Sequence, residues 1–78
     1  MTSRAELKDL RKGQHGKVVK VGGRGEVRRR ILDMGVVPGT VITVEGVAPL
    51  GDPVAVKLKG YHLSLRKEEA DKIVVETV

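Results

Sequence analysis

The chain has 78 residues, 40% of them hydrophobic, with no cysteine and Tyr61 as its one aromatic residue. A chain of this length holds one compact core and buries only about 60% of the surface that its unfolded form exposes; without cysteine, neither disulfides nor thiolate metal sites reinforce that core. Fifteen Lys and Arg against ten Asp and Glu give a net charge of +5, which favours an anionic partner, although a lone tyrosine is a poor platform for the base stacking that single-strand nucleic-acid binders use. Residues 1–9 lack the apolar run of a signal peptide, and no later stretch approaches the roughly 18 apolar residues of a membrane span, so a cytoplasmic protein is expected.

In chain order, Ser3-Arg4-Ala5-Glu6 has the serine-to-glutamate spacing of a capping box and predicts a short helical turn, with Leu7 and Leu10 facing inward. Gly13 and Gly16 bracket a turn before Lys17-Val18-Val19-Lys20-Val21, where β-branched residues predict the first strand. Gly22, Gly23 and Gly25 end it. Over residues 26–34 the period changes: Val27, Ile31 and Met34 fall at i, i+4 and i+7, the apolar stripe of a short helix, and Glu26 and Arg30 stand as an acid-first i,i+4 pair. Gly35 stops this helix and Pro38 prevents its resumption. Val37-Pro38-Gly39-Thr40 has Pro and Gly at the centre of a type II turn.

A strand over residues 40–47 follows. Then Val54, Val56 and Leu58 alternate with Ala55, Lys57 and Lys59, and Tyr61, Leu63 and Leu65 alternate with His62, Ser64 and Arg66. With Lys59-Gly60 as a two-residue loop, Leu58 faces Tyr61, Val56 faces Leu63 and Val54 faces Leu65, placing every apolar pair on one side. Residues 67–72 predict one helical turn, and Ile73-Val74-Val75 the last strand. About five short strands cannot make a two-sheet sandwich with a useful core, whereas a sheet that curls on itself covers its edges. The expectation is a mostly β, small barrel with a short helix after strand 1 and a helical turn before the last strand, the whole chain, 1–78, being one domain.

Chemistry is sparse. Met1, His15, Met34 and His62 are the only soft or imidazole donors, and they form no cluster in sequence; His62 lies opposite Lys57 in the hairpin register, so no metal site is expected. Gly23-Arg24-Gly25 follows a strand and opens a helix, but no Gly-Lys-Ser/Thr comes after it and a third fingerprint glycine is missing, so no nucleotide cofactor is expected. No Ser or Thr stands in a nucleophile signature, which points away from an enzyme. Two surface features remain. In the helix, Arg28, Arg29 and Leu32 project away from the apolar stripe, the mixture found at protein contacts; the plainer reading is that Leu32 packs under the N-terminal segment. In Ala48-Pro49-Leu50-Gly51-Asp52-Pro53, Pro49 and Pro53 stiffen a turn with Leu50 at its tip, ready to meet a partner at little ordering cost.

Arg30-Ile31-Leu32-Asp33-Met34-Gly35, Pro38-Gly39-Thr40, Ala48-Pro49-Leu50-Gly51-Asp52-Pro53 and Leu63-Ser64-Leu65-Arg66 with Glu69-Ala70 together resemble the FeoA family over nearly the whole chain. The resemblance implies an SH3-like barrel, a cytoplasmic accessory and regulatory protein of bacterial ferrous iron transport that docks on the membrane transporter FeoB, a protein with a GTP-binding domain. From their exposure and composition, Pro49 and Leu50 in the turn and Arg28, Arg29 and Leu32 on the helix are the expected docking residues, with Arg28 or Arg29 reaching the nucleotide site to speed GTP hydrolysis. The rival readings are a nucleic-acid-binding barrel, a weak carrier of the transition metal ion itself, and an isolated relative of the module at the C-terminus of iron-dependent repressors. Homo-oligomerisation is left open.

Overall fold

The computed structural model describes residues 3–77. Along the chain run β1 (Ser3–Glu6), a single 3-10 turn (Leu7–Asp9), β2 (His15–Val21), α1 (Gly25–Asp33), β3 (Val41–Val47), β4 (Val54–Leu58), β5 (Tyr61–Leu65), α2 (Lys67–Ala70) and β6 (Ile73–Thr77). The six strands among the described residues form one antiparallel sheet in the order β1-β6-β2-β3-β4-β5. Inward residues from distant strands, such as Val18, Val75, Ile42, Val56 and Leu65, all join one buried cluster. A single sheet can gather its own faces in that way only by curling, and register shifts between Val18 and Lys20 and between Val44 and Gly46 supply bends of the kind that bulges make. The expected mostly β barrel is thus present. No helix among the described residues is long and apolar enough to cross a membrane.

The first element departs from expectation. Ser3-Arg4-Ala5-Glu6 is a strand, paired from Ser3↔Thr77 to Glu6↔Val74 with β6, and the sheet has six strands where about five were expected. The capping box loses because the free edge of β6 offers a ladder of backbone bonds, reinforced by Thr77 Oγ1 donating to the Ser3 carbonyl at 3.1 Å; long-range pairing overrides a weak local preference. The helical turn comes one step later, at Leu7–Asp9. Leu7 and Leu10 are buried as expected. Because of β1, the helix follows the second strand.

α1 keeps its predicted position but not all of its stripe. Ile31 is fully buried and Met34 packs on the core, whereas Val27 is 41% exposed, because only the C-terminal half of the helix lies on the barrel. Leu32 is half-buried: one side packs against the core, and the rest lines a depression beside Arg28 and Arg29, so it neither projects freely nor is fully covered. Arg30 turns to Glu69 at 3.5 Å and not to Glu26. The helix ends in a Schellman arrangement: Gly35 N–H donates to the Leu32 carbonyl at 3.0 Å and Val36 N–H to the Ile31 carbonyl at 3.3 Å, with Gly35 at φ +91°, a conformation that costs any residue with a Cβ. The Tyr61 hydroxyl donates to the Met34 carbonyl, capping a third carbonyl and tying the β4–β5 hairpin to the helix end.

The hairpin register is as predicted, with Leu58↔Tyr61, Val56↔Leu63 and Val54↔Leu65. Gly16, expected in a turn, lies inside β2 and is buried. A Cβ at this position would stand 2.8 Å from Val75 Cγ2 and 2.9 Å from Val75 Cβ. Gly16→Ala is therefore expected to cost about 1–3 kcal/mol through overpacking, read as a lower urea midpoint with unchanged slope. Gly46→Ala, where no atom lies within 4 Å of the added carbon, is the near-neutral control.

Candidate functional site

The turn over residues 48–53 is the most exposed apolar feature of the protein: Leu50 is 91% exposed. Its backbone is nonetheless fixed. Ala48 N–H donates to the Pro53 carbonyl at 3.1 Å, and Gly51 N–H donates to the Ala48 carbonyl at 2.7 Å. The Asp52 carboxylate accepts from Lys67 N–H at 3.0 Å, fastening the turn to the first residue of α2. Leu50 is therefore held out by a frame of three hydrogen bonds and two prolines. Sequence reasoning found the prolines but missed the Asp52 clamp, which spans fifteen residues and has no local signal.

Beside the turn lies an open groove of about 630 Å³ lined by Lys8, Asp52, Pro53, Arg66, Lys67, Glu68 and Asp71. Its inner wall is an ion cluster. Lys8 Nζ lies 2.8 Å from Asp71 Oδ1 and 3.5 Å from Glu6 Oε2. The hydrogen bond and charge of Asp71, with Glu6 alongside, raise Lys8 above the usual lysine range. The hydrogen bond from Lys8 correspondingly lowers the Asp71 carboxyl. Lys8 and Asp71 are partly open to solvent, where such pairs stabilise little, while Glu6 Oε2 is buried without a hydrogen-bond partner among the described residues. Across α2, Glu69 is buried and accepts from Arg66 N–H at 2.9 Å while meeting Arg30 at 3.5 Å, so it joins the two helices.

Arg28 and Arg29 are exposed on α1 and flank Leu32 in a shallow depression with Gly25 and Asp33. This depression shares no residue with the groove beside the turn. His62 is exposed opposite Lys57, as expected, but its Nδ1 stands 2.5 Å from Glu45 Oε1 on β3, a partner that the sequence separation concealed. His15 is an exposed residue of β2, and Met1 lies outside the described residues. No group of three or more His, Asp or Glu side chains able to hold a metal ion occurs among the described residues.

A family model described as the FeoA domain matches residues 5–77. The chain belongs to the FeoA family. It is 49% identical over 72 residues to a Porphyromonas gingivalis protein named Fe(2+) transport protein A/Fe(2+) transporter FeoB fusion protein, a match covering 92% of this chain and 8% of that protein; the chain thus spans a small fraction of that relative's length. Among solved structures, the FeoA-like protein of Clostridium acetobutylicum shares 47% identity with a TM-score of 0.90, covering 100% of this chain and 91% of that one. The FeoA of Stenotrophomonas maltophilia, solved with zinc and described as an SH3 domain protein, shares 26% identity with a TM-score of 0.76, covering 96% of this chain and 88% of that one. The curled six-stranded sheet of this FeoA-family chain is accordingly SH3-like.

The pKa directions of the ion cluster fix a pH dependence. Asp71, lowered on folding, stabilises the fold above the ordinary carboxylate range, and this is lost as pH falls through its folded value; Lys8, raised, stabilises below the ordinary lysine range and is lost as pH rises through its folded value. Asp71→Asn is expected to lower the melting temperature at neutral pH, with the gap to wild type closing below about pH 4. Melting curves from pH 2 to 8 test this, and a gap undiminished at pH 2 would show that the charge is not its source.

Proposed function

We propose that this domain is an accessory of ferrous iron transport that works in the cytoplasm by docking on the membrane transporter FeoB, the whole chain, 1–78, acting as one binding unit without a reaction of its own. The observation that carries this reading is the Porphyromonas gingivalis fusion, in which a segment 49% identical to this chain is joined to FeoB in one polypeptide. Covalent joining holds two partners at high effective concentration, an arrangement that favours modules acting on one another. The turn carrying Pro49 and Leu50 is the first contact: its hydrogen-bonded frame leaves little motion to freeze on binding, so burial of Leu50 contributes directly to affinity. The Arg28, Arg29 and Leu32 surface is the second, with two guanidinium groups free to meet carboxylates or phosphates.

Leu50 belongs to no core contact, so Leu50→Glu is expected to leave the circular dichroism spectrum and melting temperature unchanged while reducing co-purification with FeoB at least tenfold. Retention at the wild-type level would remove the turn from the interface. For the helix surface, the expected outcome is that any acceleration of FeoB GTP hydrolysis by this protein falls with Arg28→Ala or Arg29→Ala, since an arginine acts there by stabilising transition-state charge. Steady-state hydrolysis that is the same with and without the wild-type protein would eliminate that role.

A further inference from the structure

β5 is an outermost strand of the sheet, and its backbone points to a binding mode separate from the 48–53 turn. Lys59 and Gly60 both have positive φ, +49° and +82°, which makes the loop a type I′ turn and its closing pair, Leu58↔Tyr61, a hydrogen-bonded one. Pairs alternate along an antiparallel ladder. Val56↔Leu63 and Val54↔Leu65 are therefore also bonded, whereas His62 and Ser64 turn their N–H and C=O groups away from β4. Among the described residues no turn or loop backbone group bonds to either residue. Their side chains are exposed too, while Leu65 is buried and Leu63 packs on the core.

Sheet edges are usually blunted by charge, proline or bulges. At the opposite end of the sheet, β1 carries Arg4 and Glu6 on the strand itself. β5, Tyr-His-Leu-Ser-Leu, has no such residue. The charges lie around it: Lys57, Lys59, Arg66 and Lys67 are all exposed, residues 54–67 contain no carboxylate, and none of the four cations is in an ion pair among the described residues. Against a net charge of +5, this one hairpin and its flank hold most of the excess. Glu45, from the neighbouring β3, is engaged by His62, and Asp52 by the Lys67 N–H.

We propose that β5 is an acceptor edge for an extended acidic segment of a partner protein, which adds to the sheet through the backbone groups of His62 and Ser64 and is selected by the surrounding lysines and arginines. Main-chain bonds supply affinity in this mode and side chains supply selection. A second copy of this chain is disfavoured at the same edge because it would bring its own four cations against these. The inference does not depend on FeoB being the partner, and it concerns a surface on the opposite flank of the β4 strand from β3.

The test titrates the full ¹⁵N-labelled chain with a capped octapeptide of alternating Val and Glu, and separately with one of alternating Val and Lys. Expected are saturable amide shifts centred on His62 and Ser64, slowed hydrogen exchange at both, and at least tenfold weaker binding of the lysine peptide. Ser64→Pro, which removes an outward donor but no β4 bond, is expected to abolish binding. The double variant Lys57→Glu, Lys59→Glu is expected to weaken it at least tenfold, and serves should Ser64→Pro fail to fold. Shifts that are absent at millimolar peptide, or centred on residues 48–53 or on α1, overturn the proposal. So does equal binding of the two peptides, tighter binding of a thymidine octanucleotide at the same amides, or a concentration-dependent dimer in sedimentation that protects His62 and Ser64 without peptide.

Discussion

The fold depends on the close approach of β6 to β2 at Gly16. This residue is paired on one side with Ile42 of β3 and on the other with Thr77 of β6, so it stands between the two halves of the sheet. With hydrogen as its side chain, Val75 can occupy the space where a Cβ would lie, 2.8 Å from Val75 Cγ2. That contact lets β6 fold over β2 and bring β1 with it, and it lets one sheet enclose Val18, Ile31 and Ile73 without a second layer. In a chain with no cysteine and so little volume, a barrel drawn tight at one point is how enough apolar surface leaves water.

Closure on the other side relies on polar groups. Tyr61 reaches from the hairpin to the Met34 carbonyl, where the helix leaves acceptors without intrahelical partners, and Glu69 answers it by holding α2 to Arg30 of α1. The single aromatic residue is thus a bolt between helix end and hairpin, with 39% of it still exposed. Asp52 does the same for the 48–53 turn by accepting from Lys67 N–H. Three short elements that carry little core of their own are positioned by these three side chains.

Legibility in the sequence followed the range of the interactions. The β4–β5 hairpin was readable to the residue because alternation and a two-residue turn constrain register locally. The end of α1 was readable because Gly35 and Pro38 are local signals. Ser3-Arg4-Ala5-Glu6 was misread because its partner, residues 74–77, lies at the far end of the chain, where local pattern carries no information. The same reason hid the His62–Glu45 pair and the Asp52 clamp, seventeen and fifteen residues apart. Leu32 was ambiguous in the pattern because it borders the stripe, and packing sets only one side of it against the core. The exposed Leu50, by contrast, was legible because two prolines and a glycine announce a stiff turn.

The distribution of roles across this barrel follows from its size. Alternating residues of β2, β4 and β6 are committed inward, and Thr40 and Glu69 are the buried polar residues among those described; further buried polar groups would cost a substantial share of a stability that is marginal in small domains. What the core leaves for a partner to meet is the turns, the outer face of α1 and the backbone of the outermost strands. Of these, the turn offers an apolar side chain on a fixed frame, while the β5 edge offers directional hydrogen bonds within a cationic surround. A partner that engaged both would meet one rigid body, because Asp52 and Lys67 join the turn to the segment that directly follows β5. Rigidity between two modest contacts is what allows their free energies to combine with little additional ordering cost, and it explains how a domain with so little surface could bind selectively.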